Sequence, residues 1–154
     1  MEEKEGLLTA DQYATYKHWM VSTEYMDAYL NRMLTAFGLT MTEYRMMVVL
    51  TDAPGQRLRM SDLASDARHS LSRSSHTIAR MESRGWVKRV PHDSDRRVIF
   101  VTPTPEGLEL FERARPAYHA NVRRIFVDAI GEDLIEAIDG AAQRIISSTT
   151  AMLR

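Results

Sequence analysis

From Thr9 to Phe37 apolar residues recur at steps of three and four: Tyr13, Tyr16, Trp19 and Met20, Thr23, Met26, Leu30, Met33 and Leu34, and Phe37. That spacing places them on one stripe of a single long helix. The start, TADQ (Thr9–Gln12), has the residues of a capping box, in which Thr9 accepts from the backbone and Gln12 reaches back. Gly38 is placed to end the helix as a left-handed residue. At ~1.5 Å per residue the helix would be about 43 Å long, more than a small domain needs for its own core. Part of the stripe is therefore expected to bury against something else, and a second copy of the chain is the economical partner.

The pattern then shortens. TMTE (Thr40–Glu43) is a second capping box and opens a helix through Leu50, stopped by DAPG. RLR at 57–59 reads as one strand of a small sheet. Ser61 is expected to cap a short helix that buries Leu63, Ala64 and Ala67. After a break at Arg68 and His69, Ser70 can cap a helix from Leu71 to Arg84, with Gly85 as its terminator. The inner face of that helix is thin (Ser74, Thr77, Ile78 and Met81), and its other side carries Ser72, Arg73, His76, Arg80 and Arg84. Two β-branched runs around 87–91 and 98–101 read as a hairpin. Thr104 as N-cap with Pro105 behind it starts a helix to about Ile130, with a kink expected at Pro116. Leu134, Ile135, Ile138, Ala142, Ile145, Ile146 and Met152 mark a last amphipathic helix.

Composition narrows the class. A chain of 154 residues, 44% hydrophobic and 27% charged, suits one soluble globular domain. No apolar run approaches the roughly 20 residues that span a bilayer, so no membrane partner is expected. The opening MEEKEG lacks the basic-then-apolar order of a signal peptide, which makes a cytoplasmic protein the expectation. There are no cysteines, which excludes disulfides, thiolate zinc sites and thiol redox sensing. The ten methionines fall mostly at helical spacing among apolar residues and read as core. Nucleophile elbow, Gly-rich phosphate loop and HExxH are all missing, and the five histidines are scattered, so enzyme chemistry is not expected. The ligands of HDSD (His92–Asp95) crowd a hairpin tip and do not suggest a metal site. No cofactor is expected.

Charge adds a direction. Residues 57–97 hold ten Lys or Arg against five Asp or Glu, net +5, and the rest of the chain carries −6. A basic centre between acidic flanks suits a local anionic partner. Short helix, tight break, polar and cationic second helix, then hairpin is the order of a winged helix-turn-helix, and the expected fold is mainly α with a small β-hairpin wing. The second helix can enter the major groove of double-stranded DNA with Ser72, Arg73 and His76 toward base edges, while Ser70 at the helix start favours a phosphate. Arg80, Arg84, Lys88 and Arg89 are suited to phosphates. At the hairpin tip Arg96 and Arg97 can probe a minor groove, with Asp95 orienting Arg97. The alternative left open is a winged-helix module that binds protein and not DNA.

The run LRMSDLASDARHSLSRSSHTIARMESRGWVKRVPHDSDRRVIFVTPTPEGLELF resembles the core of the MarR (multiple antibiotic resistance regulator) family. The likeness lies in the LA of the first helix, RMESRGWVKR leading into the hairpin, DSDRR in the wing, and TPEG after it; it covers Thr40 to Glu112. The resemblance implies a ligand-responsive repressor, a homodimer on a pseudo-palindromic operator. Residues 1–38 and 105–154 would be its dimerisation helices and 40–103 its winged lobe. By position it puts base reading on Ser72, Arg73 and His76 and minor-groove contact on Asp95, Arg96 and Arg97. Many members release DNA on binding a small aromatic or anionic effector, and here Tyr16, His18, Trp19, Tyr25 and Arg45 would line such a cleft. The family's cysteine peroxide sensor and the clustered ligands of its metal-responsive branch are absent from this sequence.

Overall fold

The computed structural model describes residues 7–67, 70–92, 95 and 98–153. The chain divides into two compact units, one through Arg115 and one from Pro116.

The first unit opens with α1 (Ala10–Leu34), capped by Thr9 and Gln12 as expected, and a 3-10 turn carries it through Phe37. Gly38 closes that turn at φ +72°, the left-handed region where a side chain would be strained. α2 (Met41–Asp52) follows its own capping box and runs two residues beyond the expected end. β1 (Leu58–Arg59) leads directly into α3 (Met60–Asp66). Ser61 does not cap α3. Arg59 takes the N-cap position without a side-chain bond, and the Ser61 hydroxyl, already inside the helix, turns to the Asp62 carboxylate. The strand runs straight into the helix and leaves no extended residue for Ser61 to occupy. α4 (Leu71–Ser83) has Ser70 as N-cap, its Oγ accepting from the Arg73 N–H, and Gly85 at φ +75° turns the chain into β2.

β2 (Val87–Pro91) and β3 (Ile99–Pro103) form the hairpin, and β1 completes an antiparallel sheet of order β1-β3-β2. In this register Val101 pairs with Arg89 on one side and Leu58 on the other, which puts Val87, Val101 and Pro103 on the buried face. The core lies in the first unit and draws on each of its helices: Leu30 and Leu34 of α1, Tyr44, Met46, Met47 and Leu50 of α2, Leu63, Ile78 and Met81 of the helix pair, and Phe111 of α5 (Pro105–Val122), whose ring meets Tyr44 at 5.2 Å. Methionine is divided: Met41, Met46, Met47 and Met81 are buried, Met20 and Met152 exposed.

α5 begins in the first unit and ends in the second. The helix includes Pro116. The irregularity comes later, as a π-helical turn over Arg123–Val127, followed by α6 (Asp128–Ile130) and α7 (Ile135–Met152). A proline removes one N–H donor, and the rest of the helical ladder carries the chain past it. No described residue after Ala114 is buried, and α7 keeps Ile145 and Ile146 exposed.

Candidate nucleic-acid interface

Helical geometry sorts α4 into two faces. Ser74, Thr77, Ile78 and Met81 point inward and are buried, while Ser72, Arg73, His76, Arg80 and Ser83 are exposed on the opposite arc. Its short polar inner side chains let α4 sit close against α3, and the longer side chains are left for whatever lies outside. No described residue hydrogen-bonds or ion-pairs with the Arg73 guanidinium or the His76 imidazole. Lys88 on β2 is likewise exposed.

Arg80, Arg84 and Arg89 are held. Arg80 Nε donates to Glu43 Oε1 at 2.8 Å, and Arg84 Nη1 lies 3.9 Å from the same oxygen. Arg84 also donates to the Gly38 carbonyl at 2.9 Å and stacks over Trp86, 4.9 Å from the ring centroid. Arg89 pairs with Glu82 at 2.8 Å and donates to the Ser75 carbonyl. These contacts engage part of each guanidinium, and Arg80 and Arg84 remain nearly half exposed.

Glu43 is the residue that sequence reasoning passed over. Its capping-box role was visible, but its burial and its reach to α4 were not. Burial pushes its pKa upward; the Thr40 N–H, the Arg80 guanidinium and the Thr40 hydroxyl outweigh this and leave it below the ordinary glutamate value. Arg59 is a second omission. It borders a concavity with Ser61, Leu71, Ser75 and Arg89, between the start of α4 and the base of the wing. Its place there depends on β1 pairing with β3, in which Arg59 faces Phe100, a partner distant in sequence and silent locally.

At the wing, the His92 N–H donates to the Val98 carbonyl and the Val98 N–H to the Asp95 carbonyl, closing the loop. Phe100 lies under Arg57, 4.1 Å from ring to guanidinium carbon, and 5.6 Å from the His92 ring. Arg96 and Arg97, and so the expected Asp95–Arg97 contact, lie outside the described residues.

Of the five residues expected around an effector, Arg45 is on α2, and the four on α1 do not share one side of that helix. Tyr16 and Trp19 share a face; His18 and Tyr25, seven positions apart, share the opposite one. Tyr25 borders a shallow concavity with Val21, Glu24 and Ala28, and Arg45 pairs with Asp27 at 2.7 Å. Among the described residues no group of three or more His, Cys, Asp or Glu is placed to hold a metal.

Comparison with known proteins agrees with this geometry. The MarR family model matches residues 37–98. The crystal structure of AbsC, a MarR family transcriptional regulator from Streptomyces coelicolor, is 34% identical with a TM-score of 0.89, covering 94% of this chain and 98% of that one. Sco3205, a MarR family transcriptional regulator from Streptomyces coelicolor in complex with DNA, is 30% identical with a TM-score of 0.88, covering 96% of this chain and 92% of that one. The transcriptional repressor MprA of Escherichia coli (strain K12) is 27% identical over 89 residues, 58% of this chain and 51% of MprA. In that match the chain spans about half the length of its curated relative. The chain belongs to the MarR family of transcriptional regulators.

Proposed function

We propose that the chain is a transcriptional repressor that binds double-stranded DNA as a homodimer, laying α4 in the major groove and the hairpin tip along the minor groove. The observation that carries the reading is the outward arc of α4, where Ser72, Arg73 and His76 stand exposed and no described residue holds Arg73 or His76. The likeness to Sco3205, whose structure contains DNA, supports it.

In this reading Arg73 pairs with a guanine edge and His76 and Ser72 read beside it. Ser70 and the first N–H groups of α4 meet a phosphate. Lys88, and the exposed parts of Arg84 and Arg89, hold further phosphates and carry no sequence information. Asp95, Arg96 and Arg97 serve the minor groove. The protein acts in the cytoplasm, uses no cofactor and catalyses no reaction; among the described residues no helix is long and apolar enough to cross a membrane. A small aromatic or anionic effector would act through α1, where Tyr16, His18, Trp19 and Tyr25 lie on two faces, with Arg45 on α2, and a second chain would complete the cleft.

Arg73→Ala tests the assignment. On the cognate site it should cost about 1–3 kcal/mol and relax preference at one base position. An equal loss on every sequence would make Arg73 a phosphate contact. A wild-type chain that binds no duplex at low salt would favour the protein-interaction alternative.

A further inference from the structure

Glu43 is the only fully buried charged side chain among the described residues. Its two oxygens have different work. Oε2 accepts from the Thr40 N–H at 2.7 Å and from the Thr40 hydroxyl at 2.9 Å, completing the cap of α2. Oε1 reaches across to α4 and accepts from Arg80 Nε at 2.8 Å. Capping alone does not explain this residue, because α1 closes the same kind of box with an uncharged, exposed side chain, Gln12. A buried carboxylate is costly unless a specific partner compensates it, and the partner here comes from α4.

The surroundings tie the same corner together. Arg84, one turn beyond Arg80, donates to the Gly38 carbonyl at the end of α1. Asn31 of α1 accepts from the Met41 N–H at the start of α2. The junction between α1 and α2 is therefore bonded to α4 through two arginines on the border of its outward arc. Arg80 lies about two turns from Arg73 and one from His76, so fixing its side chain fixes the rotation of α4 about its own axis.

We propose that Glu43 is a positioning residue for DNA recognition: through Arg80 it sets the rotation of α4 against the α1–α2 junction, and so which base edges Ser72, Arg73 and His76 can reach. This inference rests on the DNA-binding reading above. Arg80 then serves the protein's own geometry and is not a phosphate contact.

The test uses the full chain. Duplexes are enriched from a random pool by the wild type, and affinity for the enriched duplex and for a scrambled one is then measured across a range of salt for wild type, Glu43→Gln and Arg80→Gln. Gln at position 43 keeps the cap, as Gln12 does on α1, and removes the charge. The ratio of enriched to scrambled affinity should fall about tenfold in Glu43→Gln, with scrambled affinity equal or higher. Arg80→Gln should lose the same ratio with an unchanged salt slope, and it carries the test alone if the Glu43 variant does not fold. An unchanged ratio in the variants overturns the inference, as does a parallel loss on both duplexes. A salt slope reduced by about one in Arg80→Gln makes Arg80 a phosphate ligand and also overturns it. A wild type that enriches no sequence and binds no duplex sinks the DNA reading itself, whereas clear enrichment with indifferent variants sinks only the role of Glu43.

Discussion

Ser74 Oγ, on the inner face of α4, is the one buried side-chain polar atom without a hydrogen-bond partner among the described residues. A desolvated hydroxyl with no partner costs free energy, so Ser74→Ala should raise stability by about 1 kcal/mol, read as a higher melting temperature. A comparable drop would mean that the hydroxyl is bonded after all. Glu43 gives the opposite case. Its pKa is lowered in the folded chain, with Thr40 and Arg80 outweighing the opposing effect of burial, so its contribution is fully present above the unfolded glutamate value of about 4.3. That contribution fades as pH falls through the lower folded value. Wild type should therefore exceed Glu43→Gln in melting temperature at pH 7, and the gap should close in acid as pH falls through the lowered folded value. A gap independent of pH would remove the charge from the explanation. The outward set of α4 was legible in the sequence because helical periodicity alone separates Arg73 and His76 from Ile78 and Met81. The engagement of Arg80, Arg84 and Arg89 was not, since each partner sits on another element and no local pattern announces a long-range pair.

Elements were legible where a cap or terminator is encoded in a few adjacent residues. Both capping boxes, the Ser70 cap and the left-handed Gly38 and Gly85 are local devices, and each forms as expected. Ser61 misled because a serine before an apolar pair looks the same whether it stands at or inside the helix start. The π-helical turn at Arg123–Val127 has no sequence signature we can identify. Gly107 shows what a start motif conceals. The Thr104 hydroxyl accepts from the Gly107 N–H and donates to the Gly85 carbonyl, and the Thr104 N–H meets the Trp86 carbonyl. A Cβ on Gly107 would collide with the Trp86 backbone, which no rotamer change relieves. Gly107→Ala should destabilise the chain by about 1–3 kcal/mol or more, measured as a lower urea midpoint. An unchanged midpoint would mean that α5 and the loop before the wing are not in close contact.

At the scale of the whole molecule, the apolar residues that stay exposed matter most. Tyr13, Tyr16, Trp19 and Met20 of α1 are uncovered, and on α7 Ile145 is 54% and Met152 81% exposed. Such surfaces mark association sites, in keeping with the proposed homodimer. Placing a carboxylate there, as in Ile145→Glu, should raise the dimer dissociation constant on the order of tenfold or more by sedimentation. An unaffected dimer would put the interface elsewhere. Two copies of α4 on one duplex should lie about one helical turn apart, with half-sites roughly 10 bp centre to centre or a multiple of it. The charge distribution bears on the central claim most directly, since the basic middle of the chain is offset by acidic flanks that leave no overall attraction to a polyanion. The decisive measurement is fluorescence anisotropy of the wild-type chain on non-specific duplex as salt rises. Measurable affinity in dilute buffer, lost steeply and linearly on logarithmic axes, is the expected result. No binding at any salt, or binding indifferent to salt, would contradict it.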